Sequence, residues 1–92
     1  MASVSVRLPS LLTSLLGVPK YTAVSGESLQ QAIDDLCRRW PALAVHLFDE
    51  SSAFREHVLC FVNETNTRDV EASNYPLNDG DVITVLQAVS GG

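Results

Sequence analysis

From residue 3 to residue 8 apolar and polar side chains alternate. Val4, Val6 and Leu8 fall on one face, and Ser3, Ser5 and Arg7 on the other. A period of two marks a half-buried strand, and Pro9 ends it. Residues 10–17 are apolar and close on Gly17, which reads as a wide loop with room for a helical turn. Residues 20–24, Lys-Tyr-Thr-Ala-Val, are rich in β-formers and predict a second strand. Ser25-Gly26 then reads as a turn.

The period changes after Ser28. Leu29, Ala32, Ile33, Leu36, Cys37 and Trp40 follow the spacing of one helical stripe. Ser28 is a favourable N-cap, and Gln31 three residues on completes a capping box. Gln30, Gln31, Asp34, Asp35, Arg38 and Arg39 are assigned to the opposite, solvated face. The acids precede the arginines, as the helix dipole prefers. Pro41 disfavours helical geometry at Trp40 and stops the helix.

Residues 42–48 predict a short second helix, and Asp49-Glu50-Ser51-Ser52 a polar loop. Residues 58–63 form a third apolar strand. Residues 64–67 read as a turn, and residues 68–70 as a short fourth strand. Asn78-Asp79-Gly80-Asp81 is a turn with glycine where positive φ is cheap. Residues 82–88 make the last strand. The order is strand, strand, helix, strand, short strand, strand, without repeat or linker. One helix covers one face of a sheet, so the fold class is α+β in two layers. A right-handed crossover sets the last strand centrally, parallel to the first. That is a β-grasp arrangement: a mixed sheet of four to five strands packed on one main helix, spanning residues 1–88.

Composition narrows the function. Ninety-two residues make one domain, and 46% hydrophobic with 18% charged residues fits a globular chain rather than a disordered one. Six Lys+Arg against eleven Asp+Glu give a net charge of -5. No basic stripe is present, which argues against nucleic acid as a partner. Residues 8–18 have some character of a signal h-region, but Pro9 interrupts them and only Arg7 precedes them. No stretch reaches the ~20 apolar residues of a membrane span. Cys37 and Cys60 lie far apart inside apolar patterns. They read as buried structural thiols of a reducing, cytoplasmic protein.

No catalytic constellation is visible. His46 and His57 are the only imidazoles, and neither has further ligand types at metal-binding spacing. Asp34-Asp35 and Asp49-Glu50 read as surface acids, and Asp79 and Asp81 as turn residues. The sequence closes on Ser90-Gly91-Gly92, immediately after the last strand. Residues 89–92 are therefore expected to be a flexible tail ending in a reactive carboxylate.

Several segments together carry a resemblance. They are the helix opening Ser25-Gly26-Glu27-Ser28-Leu29, the strand end Phe61-Val62-Asn63-Glu64, the turn Leu77-Asn78-Asp79-Gly80-Asp81-Val82, and the closing Val85-Leu86-Gln87-Ala88-Val89-Ser90-Gly91-Gly92. In this order they resemble the ubiquitin-like sulfur-carrier proteins of the ThiS/MoaD family. Within it, the long 8–18 region and the loop at residues 49–52 resemble the CysO-type carriers of cysteine biosynthesis. The resemblance implies a carrier that is a substrate and not an enzyme. Its Gly92 carboxylate would be adenylated by a separate E1-like activating enzyme, which uses the ATP, and converted to a thiocarboxylate. A downstream sulfur-accepting synthase would then take the sulfur. No permanently bound cofactor or metal is implied.

Gly91, Ser90 and Val89 would give the tail access to a narrow active-site passage, because glycine has no side chain to block it. Ordering a tail costs roughly 1–2 kcal/mol per residue, so the domain body must supply binding energy. If Val58, Cys60 and Val62 face inward with Ile83 and Val85, then Leu59, Phe61, Thr84 and Leu86 face outward. These four are the expected partner-binding patch. Two alternatives stay open on sequence grounds: a ubiquitin-like modifier or docking module without sulfur transfer, and molybdopterin in place of cysteine as the acceptor.

Overall fold

The computed structural model describes residues 2–50, 54–67, 71 and 74–87. The elements run β1 (Ala2–Arg7), α1 (Ser10–Leu16), β2 (Tyr21–Gly26), α2 (Leu29–Arg39), α3 (Pro41–Leu47), β3 (Val58–Val62), β4 (Thr65–Asn66) and β5 (Val82–Gln87). The strands form one mixed sheet in the order β2-β1-β5-β3-β4. β5 lies centrally and runs parallel to β1, with Ser5 opposite Val82 and Arg7 opposite Thr84. It pairs antiparallel with β3. This is the expected β-grasp architecture, with five strands and three helices among the described residues.

Alternation decides which face is buried. β1 alternates buried and exposed along its length. Val4, Val6, Val24, Val58, Cys60, Val62, Ile83 and Val85 turn one face of the sheet into the core. Leu29, Ala32, Ile33 and Leu36 of α2 and Leu43 and Leu47 of α3 close it from the other side. Burying a Val or Leu side chain contributes roughly 1.5–3 kcal/mol, so this layer interface is the main source of stability.

α2 starts as its sequence dictates. The Ser28 hydroxyl accepts from the Gln31 N–H at 3.2 Å. The Gln31 side chain reaches back one residue further than in a capping box, accepting from the Glu27 N–H at 2.9 Å. Trp40 leaves helical geometry at φ -132°, ψ 75°, and Pro41 opens α3 at its first turn. There the missing N–H costs nothing, since it would have no partner in any case.

Four expectations are corrected. Residues 10–16 form a helix rather than a loop. Gly17 is its C-cap at φ 69°, and its N–H donates to the Thr13 carbonyl at 3.0 Å. Leu8, Leu12 and Val18 from this region are core residues. β2 begins at Tyr21 and continues through Ser25-Gly26, where a turn was expected. Gly26 lies tight against the start of α2, and a Cβ there would stand 2.6 Å from the Ala32 nitrogen. Within residues 64–67, Thr65–Asn66 form strand β4 on β3 instead of a plain turn. Residues 68–70, expected to be a strand, lie outside the described residues.

The fourth correction is Asp35. Placed on the solvated face by periodicity, it is only 4% exposed. Its carboxylate accepts from the Ser25 N–H at 3.0 Å and from Arg39 Nε at 3.0 Å, and it also pairs with Arg38. Edge strand β2 leaves that N–H without a ladder partner, and the helix supplies the acceptor. The hydrogen bond from Ser25, aided by both arginines, outweighs burial and holds the Asp35 carboxyl below its ordinary range.

Candidate functional site: the open sheet face

The sheet face turned away from the helices is built by cross-strand register. Leu59 stands opposite Leu86, and Phe61 opposite Thr84. The four residues of the expected patch are therefore two adjacent pairs on β3 and β5. Leu86 is 43% exposed, and the other three are partly exposed. Contacts of this kind on a pleated surface are the unit of sheet stabilisation, yet here they leave apolar area uncovered.

The same rows bring in residues the sequence reading did not assign to the patch. Thr84 is opposite Arg7, and Arg7 is opposite Tyr21. Together with Phe61 and its β4 neighbour Asn66 they make one line across the sheet, Tyr21–Arg7–Thr84–Phe61–Asn66. Tyr21 is 59% exposed, and Val82, one step below, is also exposed. The signal was available in β2, where Thr22 and Val24 are buried and Tyr21 and Ala23 alternate outward. It was missed because the register of β2 on β1 is not set by the pattern of either strand alone.

β5 carries the chain along the centre of this face to Gln87, which stands opposite Val58. Val89, Ser90, Gly91 and Gly92, the expected tail and its reactive end, lie outside the described residues. The far end of the sheet is locked. Asn63 takes a left-handed φ of 54°, which asparagine tolerates better than most residues. Its side chain accepts from the Val82 N–H at 3.0 Å and donates to Asp81 at 3.1 Å. Asp79 accepts from the Ser3 N–H at 2.8 Å, and Asp81 from the Asn78 N–H at 2.9 Å. Both aspartates are turn residues, as expected, and they fix the start of β5.

Other candidate chemistry does not converge. His46 is half-buried and His57 exposed. Among the described residues, no group of three His, Cys, Asp or Glu side chains could hold a metal ion. Burial, with Asp34 alongside, pushes the Cys37 thiol up, and burial likewise pushes the Cys60 thiol up. Raised thiols are poor nucleophiles at neutral pH. A groove of about 430 Å³ runs between α2 and α3, lined by Asp34, Cys37, Val45, Phe48 and Arg55 among others. Arg55 is engaged there by the Val45 carbonyl at 3.0 Å. Among the described residues, no helix is long and apolar enough to cross a membrane.

Comparison with known proteins agrees with this geometry. The profile of the ThiS family matches residues 14–92. The sulfur carrier protein CysO of Mycobacterium tuberculosis is 33% identical over 92 residues, covering 98% of this chain and 99% of its own. The solution structure of small archaeal modifier protein 1 from Methanosarcina acetivorans is 32% identical with a TM-score of 0.80. That match covers 100% of this chain and 98% of the other. A chain in the crystal structure of the Amycolatopsis orientalis BexX/CysO complex is 28% identical with a TM-score of 0.82, covering 97% and 99%. With the profile spanning most of the sequence and both layers of the fold in place, the chain belongs to the ThiS family and has a β-grasp, ubiquitin-like structure.

Proposed function

We propose that this protein is a sulfur carrier whose reactive group is the Gly92 carboxylate. The observation that carries the proposal is the ThiS match, which runs through residue 92 and so includes Gly91-Gly92. The full-length similarity to a protein named as the sulfur carrier CysO supports it.

The chemistry follows from the carboxylate. At neutral pH it is anionic and a poor electrophile. One of its oxygens attacks the α-phosphorus of ATP bound to a separate activating enzyme, and pyrophosphate leaves. The resulting acyl adenylate is a mixed anhydride with a good leaving group. A sulfide-level nucleophile then attacks the carbonyl carbon and AMP departs, leaving a thiocarboxylate. A downstream synthase uses that sulfur as its nucleophile, with cysteine as the product class favoured by the CysO likeness. The carrier is consumed stoichiometrically and regenerated, so it is a substrate and not the catalyst. A cytoplasmic setting fits the ATP requirement.

Fully extended, residues 88–92 span at most roughly 17 Å. That length lets a domain held outside an active site deliver its end inside. The open face supplies the holding energy through Leu59, Phe61, Thr84 and Leu86 against a partner protein, and the BexX/CysO complex supports partner binding by a chain of this kind. Removing Gly91-Gly92 tests the reading. Thermal stability should stay within the error of the wild type while adenylation, read as pyrophosphate release by the activating enzyme, disappears. Retained adenylation would sink it.

A second reading is favoured by one finding, the similarity to a protein named a modifier. In that role the adenylated Gly92 would pass to a lysine amine. Digests of cell extract would then contain isopeptide-linked Gly92, and the free thiocarboxylate would be absent.

A further inference from the structure

We infer that Arg7 is the specificity residue of the docking face and takes a carboxylate of the activating enzyme beside the tail passage. The inference rests on the sulfur-carrier reading and adds to it the chemistry of the partner surface.

The first observation is composition by element. Across the five described strands, Arg7 is the one charged residue. The protein carries a net charge of -5, yet the described strands place no acid on its open sheet face. The acids near this sheet lie off its strands: Glu27, Glu64, Asp79 and Asp81 at the far end, Glu56 just before β3 at the tail end, and Asp35 on the helix side.

The second observation is register. Arg7 sits between Tyr21 and Thr84 in the row that also holds Phe61. Leu59 and Leu86 occupy the next outward row toward the tail. Gln87 lies three positions beyond Thr84, roughly 10 Å of strand. Arg7 therefore borders the apolar patch, one strand from Thr84 and two from Phe61, on the side of β5 that carries the chain toward its end.

The third observation is that Arg7 is uncommitted. Arg38 and Arg39 are held by Asp35, and Arg55 by the Val45 carbonyl. Among the described residues, the side chains of Arg7 and Lys20 make no hydrogen bond or ion pair. Lys20 lies at the same corner, its carbonyl accepting from the Leu8 N–H at 2.8 Å.

An exposed, unpaired guanidinium in one row with Tyr21, Thr84 and Phe61 fits one kind of counterpart. Once an enzyme surface excludes water from the apolar patch, a buried positive charge without a partner is costly. A planar carboxylate satisfies it through two parallel hydrogen bonds. Acidic side chains at that point would also repel the acidic remainder of the carrier. The pair therefore fixes orientation, with the tail end toward the passage and the far end away.

The test uses the full-length chain and its cognate activating enzyme, with steady-state pyrophosphate release as readout. Arg7→Glu and Arg7→Lys are compared with the wild type after melting curves show that both are folded. Arg7→Glu should raise KM at least roughly tenfold, as loss of a buried charge pair does, with kcat within about twofold. Arg7→Lys should recover part of the loss. The wild-type KM should rise with ionic strength, and the Arg7→Glu KM should not. Equal KM values for Arg7→Glu and wild type would overturn the inference and leave the carrier reading standing. If the enzyme adenylates neither protein, the carrier reading itself fails, and the inference fails with it.

Discussion

The Ser25 N–H donates to the Asp35 carboxylate at 3.0 Å, tying the edge of β2 to α2. The bond spans ten residues and joins the two layers of the fold at a point where an edge strand has a donor to spare. Replacing Asp35 by alanine leaves that N–H without its acceptor and both arginines without their anion. We expect a loss of about 1–3 kcal/mol in urea denaturation. The pH dependence has a definite sign. Because the folded carboxyl lies below its ordinary value of 3.8, its contribution is present above that value and is lost as pH falls through the folded one. The wild type should therefore lose stability below about pH 4 more steeply than Asp35→Asn, measured by melting temperature against pH.

Gly26 marks a second contact between β2 and α2. A methyl group there would meet backbone, 2.6 Å from the Ala32 nitrogen and 2.9 Å from the Gln31 carbonyl carbon. Backbone cannot rotate away, so Gly26→Ala should destabilise by about 1–3 kcal/mol. Gly80 gives the contrast. A Cβ at Gly80 meets nothing within 4 Å, but φ is +89°, so Gly80→Ala tests conformation alone, at about 1–2 kcal/mol. Chemical denaturation of both variants separates crowding from backbone strain.

Thr22 presents the reverse case. Its side chain is buried and Oγ1 has no hydrogen-bond partner. Thr22→Val removes the stranded hydroxyl at nearly the same shape and keeps a β-branched residue in β2. Stability should rise by about 1 kcal/mol, visible as a higher melting temperature. A fall would mean that the hydroxyl is satisfied in solution.

Much of this fold was legible in the chain because single elements declare themselves by period. The alternation in β1, the long stripe of α2 and the Asn-Asp-Gly-Asp turn each name a local structure, and the crossover rule then places β5 beside β1. α1 did not declare itself. Its four leucines come in two adjacent pairs, and Leu11 and Leu15 are exposed while Leu12 is buried, so no clear stripe separates it from an apolar loop bounded by Pro9 and Gly17. Asp35 was misplaced because its partner is a backbone N–H on another strand, and backbone donors leave no mark in a sequence. Within the site, period placed Leu59, Phe61, Thr84 and Leu86 on one outward face, and the register of β3 on β5 then paired Leu59 with Leu86 and Phe61 with Thr84. Tyr21 and Arg7 required the register of β2 on β1 and of β1 on β5, which is tertiary information.

The open face should be dispensable for folding and necessary for docking. Leu86 is exposed and lies opposite Leu59. Leu86→Asp should change stability by less than about 0.5 kcal/mol. Its binding to the activating enzyme should weaken by about 2 kcal/mol, the scale of an interface hot spot. Calorimetric titration of the two proteins reads this directly, and unchanged affinity would move the docking surface elsewhere.

The central claim is that the Gly92 carboxylate carries sulfur. Intact mass spectrometry after incubation with the cognate activating enzyme, ATP and a sulfide-level donor tests it most directly. The account predicts a gain equal to one oxygen-to-sulfur exchange, confined to the C-terminal peptide and dependent on ATP. A mass that stays unchanged under these conditions, while the enzyme consumes ATP in response to the protein, would contradict it.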